Sequence, residues 1–194
     1  MLRALALLPL LALPASASTL PIEGAFARLR PALEAFKPVP APALPPGTPK
    51  DYARLFNEGW AAATRALRSQ RCEALFRSRG APAGAALAAL RATEYRFLAL
   101  PQGESVGAQT NGPASVFINT KGVYVTAVDG DITLDNRRYE LWDGAEGVRA
   151  MVLLHELGHE MGLFGPDSGS ARQSENARHS LDVIDACVPG RPLP

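Results

Sequence analysis

The chain is poor in the side chains that most often carry chemistry. It has only three histidines and two cysteines in 194 residues, which excludes a cysteine-ligated zinc module and a disulfide-dense scaffold. It also lacks an excess of either charge. Twenty basic side chains face nineteen acidic ones, a formal net charge of +1, and this argues against a nucleic-acid interface or a dedicated membrane-surface role. No phosphate-cradling glycine loop is present, and Ser168 and Ser170 lack the strand-to-helix setting of a nucleophile elbow. The first apolar run, Leu5 to Leu13, is too short to span a bilayer, and none after it is long enough. What remains, 47% hydrophobic and 20% charged, is the composition of an ordinary globular protein.

Because histidine is scarce, its placement is informative. Two of the three fall within 151–167, MVLLHELGHEMGLFGPD, where His155, Glu156 and His159 form H-E-x-x-H directly behind Met151, Val152, Leu153 and Leu154. Residues four apart on a helix share a face, about 6 Å apart along the axis, so both imidazoles reach one metal ion. Zinc suits nitrogen ligands and, in catalytic sites, keeps three protein ligands and a water. Glu156 would stand beside that water as proton acceptor, the arrangement that hydrolyses an amide. Segment 145–161 reads as a helix with Val148, Met151, Val152, His155 and His159 on one buried stripe. Without a metal, two histidines on such a stripe need other polar partners.

The run His155-Glu156-Leu157-Gly158-His159 resembles the zincin metallopeptidases, and Gly162 resembles the turn glycine of their metzincin branch. That branch has a third histidine three residues after the glycine, where this chain has Gly165. Gly165-Pro166-Asp167 instead brings a carboxylate round after the helix, more similar to the aspzincins. Asp167 is thus the preferred third ligand. His179, whose separation from His159 resembles that in thermolysin-like enzymes, and Glu175 one turn before it remain alternatives on a helix expected over 174–186. The resemblance implies one bound Zn2+, a peptide or protein substrate, and a small sheet over the metal helix. Its edge strand, one of those between 115 and 128, would pair with the substrate backbone.

Taken in order, residues 1–17 read as an export signal: Arg3, the apolar run, then Pro14-Ala15-Ser16-Ala17, with cleavage expected after Ala17. Secretion fits an even cysteine count and a Cys72–Cys187 disulfide. Segment 18–50 is a proline-rich extension, either pro-segment or spacer. It carries Ile22, Phe26, Leu29, Leu33 and Phe36 at helical spacing around Pro31, then the polyproline-like KPVPAPALPPGTPK.

The folded domain is expected over 51–194. Helices are expected over 51–70, 71–79 and 84–91, then strands over 95–100, 115–120, 122–128 and 138–142. A long polar loop is read over 101–113 and hairpin-like punctuation over 119–122. The acidic stretch from Asp129 to Asn136 misses the calcium-loop template and reads as a turn. Tyr124, Tyr139 and Arg149 are candidate oxyanion donors by type but read as structural or surface residues. The resulting expectation is an α+β, zincin-like, monomeric secreted metallopeptidase that uses Zn2+, His155, His159, Asp167 and the base Glu156. The alternatives are a catalytically inactive zincin-like binding or structural protein, and a hydrolase of non-peptide amides.

Overall fold

The helical spacing of Leu55, Trp60 and Leu67 is realised in α1 (Lys50–Leu67), whose buried face also carries Phe56, Ala62 and Ala63. In α2 (Gln70–Ser78), the hydroxyl of Ser69 accepts the Cys72 N–H at 3.2 Å, satisfying one of the amides that a helix start leaves unpaired. α3 (Ala85–Ala92) is alanine-rich, as its sequence suggests. The computed structural model describes residues 37–165 and 173–194. The expected leader with its cleavage after Ala17, the helical spacing over 22–36 and the candidate ligand Asp167 lie outside the described residues.

Beyond α3 the chain is α+β. β1 (Glu94–Leu98), β2 (Ala108–Thr110) and β3 (Ser115–Asn119) form a mixed sheet in the order β1-β3-β2. β1 runs parallel to β3 with Tyr95 opposite Val116, and β2 runs antiparallel to it with Thr110 opposite Val116. After a short helix, α4 (Val123–Thr126), comes β4 (Asp131–Leu134). It pairs antiparallel with β5 (Arg137–Leu141), and β5 in turn pairs with the C-terminal β6 (Gly190–Pro192). α5 (Gly144–Glu160) carries the histidine motif and packs on α1, and α6 (Gln173–Ala186) packs beside it. Among the described residues no helix is long and apolar enough to cross a membrane.

Three local expectations are revised. The strand expected over 122–128 is instead α4, although its VYVT is rich in β-branched residues. Arg149, buried on α5, donates from Nε to the Tyr124 carbonyl (3.1 Å) and from Nη2 to that of Ala127 (3.0 Å), while the Tyr124 side chain is wholly buried. Tertiary bonding to the curled backbone overrides a weak β preference. The loop expected over 101–113 contains a 3-10 turn (Gly103–Ser105) and β2. Buried Asn119 organises it: Nδ2 donates to the Val106 carbonyl (2.7 Å) and to that of Gly103, and Oδ1 accepts from the Leu100 and Lys121 amides. A hairpin turn falls at Asp135 and Asn136, with φ of 49° and 60°, within the acidic stretch read as a turn, whereas 119–122 leads from β3 into α4 and joins no hairpin. β3 is therefore the centre of its sheet, and β2 is the edge strand packed against α5.

The proline-rich stretch lies against this core from Val39 onward. Val39, Ala41 and Leu44 pack on it, and Trp60 Nε1 donates to the Val39 carbonyl at 2.9 Å. Pro38–Pro194 forms one compact unit.

The expected disulfide is present. Cys72–Cys187 spans 115 residues and ties α2 to the end of α6. Constraining so long a loop in the unfolded chain is worth about 4–5 kcal/mol. The double variant Cys72→Ala/Cys187→Ala is therefore expected to unfold at a markedly lower urea concentration, with an unfolding free energy smaller by about 4–5 kcal/mol. An unchanged midpoint would contradict the assignment.

Candidate metal centre

α5 is more deeply set than a one-sided helix. Every residue from 147 to 158 is buried, including His155 at 6% and Glu156 at 4% exposure, so the first two motif residues lie in the core and His159 is half-buried at its rim. The helix ends at Gly162, which takes φ of 68°. The Gly162 amide donates to the His159 carbonyl and the Leu163 amide to that of Gly158, both at 2.9 Å, a Schellman closure that a left-handed glycine permits. The turn folds Phe164 back under the helix. A Cβ on Gly158 would lie 2.3 Å from two carbons of the Phe164 ring, so the close approach depends on glycine at that position.

The two imidazoles converge as their spacing predicts. His155 Nε2 and His159 Nε2 are 3.0 Å apart, with ring centroids 4.7 Å apart. Two nitrogens bound tetrahedrally to one zinc at about 2.0–2.1 Å stand about 3.3 Å apart, so the pair fits a shared cation after a shift of a few tenths of an ångström. The other nitrogen of His155, Nδ1, lies 3.1 Å from the buried Ser180 hydroxyl on α6. A polar partner on the far nitrogen orients a ligating imidazole.

Glu156 is held separately. The Thr110 hydroxyl, at the end of β2, lies 2.8 Å from Glu156 Oε2 and 3.1 Å from the Glu156 carbonyl oxygen, and donates its one proton towards the two. The edge strand thereby fixes the carboxylate beside the histidine pair.

The alternatives for a third ligand are not gathered with that pair. His179 is buried, stacked on Phe164 with centroids 4.4 Å apart and planes 2° apart, and 6.1 Å from the His159 ring. Arg79 Nη1 donates to His179 Nδ1 at 3.4 Å, which assigns the ring proton to Nε2. Among the described residues that buried Nε2 has no hydrogen-bond partner, with Glu175 Oε1 3.9 Å away. Burial, reinforced by the Arg79 cation and the two neighbouring histidines, holds the His179 pKa below its usual value. Glu175 is half-exposed and 3.6 Å from Arg178. Among the described residues no three His, Cys, Asp or Glu side chains converge to hold a metal.

The remaining residues noted from the sequence have structural partners. Arg149 also pairs with Glu58 at 3.3 Å, tying α5 to α1, and Tyr124 places its hydroxyl 3.5 Å from the Leu55 carbonyl. Burial pushes the Tyr124 hydroxyl well above the usual range, so it stays protonated. Tyr139 lies on β5 in the second sheet, and Asp131 pairs with Arg138 at 2.7 Å.

Thr110, Phe164 and Ser180 were not legible as site residues. Ser180 did carry a signal, since it shares the buried α6 stripe of Val183, Ile184 and Cys187 at helical spacing. Thr110 reaches Glu156 only through the fold. Compared with known family models, curated proteins and solved structures, the chain matches none.

Two measurements test this geometry. Gly→Ala inside a helix ordinarily gains up to about 1 kcal/mol; here Gly158→Ala should instead lose about 1–3 kcal/mol by displacing Phe164, and a thermal melt showing a gain would refute the contact. Burial raises the Glu160 pKa above 4.5, against the lowering effect of the Thr93 hydroxyl that donates to it. A raised acid contributes stability below its unfolded pKa and loses it as pH rises through the folded value. Metal-free Glu160→Gln should therefore be more stable than wild type at pH 7, with the gap closing as pH falls towards 4.5. A wild type that is the more stable of the two at pH 7 would contradict this.

Proposed function

We propose that this chain is a secreted zinc-dependent metallopeptidase, with His155, His159 and Asp167 as ligands and Glu156 as general base. The observation that carries the reading is the facing pair of Nε2 atoms 3.0 Å apart, beside a carboxylate already fixed by Thr110. A buried imidazole and a buried carboxylate beside a second, half-buried imidazole make a costly arrangement for a core with no chemistry to perform. Asp167 follows the Gly162 turn in sequence and supplies the hard, anionic oxygen that completes a two-histidine, one-carboxylate set. The disulfide accords with an oxidising compartment.

Bound there, zinc would lower the pKa of its water from about 16 towards about 7 and polarise the scissile carbonyl. Glu156, with Oε2 engaged by Thr110, would turn Oε1 to that water, take its proton and pass it to the leaving amine. The edge of β2, next to Glu156, would align an extended peptide by backbone pairing, and so favours peptides over small amides. The buried Phe164 ring, with its centroid 5.8 Å from that of His155 and 5.6 Å from that of His159, would exclude bulk water from that side of the pair.

The direct test is Glu156→Gln, which keeps the side chain's shape and removes its basicity. Zinc content should be unchanged, and the rate of fluorescein-casein hydrolysis should fall by about 10²–10⁴-fold. Equal rates in variant and wild type would refute the catalytic reading. Zinc binding with no hydrolysis in either would favour a metal-holding binding protein instead.

A further inference from the structure

We infer that Ser180 is a positioning residue for the cation site, deciding which nitrogen of His155 carries the proton; the inference rests on the metal reading above. A neutral imidazole has one protonated and one lone-pair nitrogen, and only the latter binds a metal. For His155 Nε2 to ligate, the proton must sit on Nδ1 and find an acceptor. Ser180 Oγ, 3.1 Å away, is that acceptor. Both residues are buried, at 6% and 7% exposure, so bulk water is no ready substitute.

A hydroxyl differs from the carboxylate or backbone carbonyl that could stand in the same place, because it both donates and accepts. When the site is empty, two hydrogen-bond arrangements are available. Ser180 accepts from His155 Nδ1 while His155 Nε2 accepts from His159, or Ser180 donates to Nδ1 while His155 Nε2 donates to His159 at 3.0 Å. Each arrangement satisfies both buried nitrogens of His155. The first already holds His155 in its ligating form. A cation between the two Nε2 atoms then requires His159 to move its own Nε2 proton to Nδ1 or release it to solvent, which its partly exposed side chain can reach. Ser180 therefore lets the pair stand without metal at little cost and lets His155 take up its ligating tautomer by reversing the sense of the Ser180 hydrogen bond. The helix that carries Ser180 is held for this: Asp182 pairs with Arg79 two residues further along, and the disulfide closes just beyond the helix end.

The test compares wild type, Ser180→Ala and Ser180→Thr as full purified chains titrated with zinc against a competing fluorescent chelator, with His155 tautomers read by ¹⁵N NMR. Ser180→Ala should fold, weaken zinc binding by about 10–100-fold, and lose the Nδ1–H form of His155 in the metal-free protein. Ser180→Thr, which keeps the hydroxyl, should bind within about threefold of wild type, a rescue that a purely packing role for Ser180 would not give. If wild type binds zinc and Ser180→Ala binds it equally with an unchanged tautomer, the role of Ser180 is overturned while the metal reading stands. If wild type takes up no zinc, the metal reading fails and this inference with it.

Discussion

The His155 imidazole and the Glu156 carboxylate give up water together when α5 enters the core beside the half-buried His159, and each buried group must recover its hydrogen bonds from protein. Leaving one buried polar group unpaired costs about 1–3 kcal/mol, a large share of the 5–15 kcal/mol by which domains are stable. The unit meets this demand with residues from distant segments. Thr110 comes from β2 to Glu156, Ser180 comes from α6 to His155, and the two histidines face one another. The positions of β2 and α6 relative to α5 follow from these requirements as much as from apolar packing.

Those supporting segments are themselves fixed. Asn119 binds four backbone groups of the loop leading into β2 and of the turn after β3, so Thr110 is presented on an organised strand. α6 is anchored by the Arg79–Asp182 pair and by Cys72–Cys187. Arg149 is a buried cation six residues before His155, and its charge is shared among Glu58 and the Tyr124 and Ala127 carbonyls. Pairing of this kind is what a buried guanidinium needs to be tolerated. It also aligns α5 with α1 and α4, setting the helix that presents the motif.

Local periodicity made the long helices and the motif legible. The expected 145–161 helix is observed as Gly144–Glu160, and the expected 174–186 helix as Gln173–Ala186, because apolar spacing over several turns is a strong signal. Short strands and turns were less legible. β2 is three residues long and depends on Asn119, while VYVT is helical because Arg149 bonds its backbone. Neither cause is local in sequence. At the site, H-E-x-x-H declared its two nitrogens and one carboxylate, whereas Thr110 and Ser180 act on them from 46 and 25 residues away. His179 stood out as the one remaining histidine, but its contacts with Arg79, a hundred residues earlier, and with the Phe164 ring were not legible.

The central claim is that His155 and His159 share one cation. X-ray absorption at the zinc edge of the zinc-loaded chain tests it most directly. The account predicts one zinc per chain in a four-coordinate shell, with two imidazoles at about 2.0–2.1 Å and the remainder oxygen. A chain that retains no zinc after dialysis, or one whose zinc shell contains no imidazole, would contradict it.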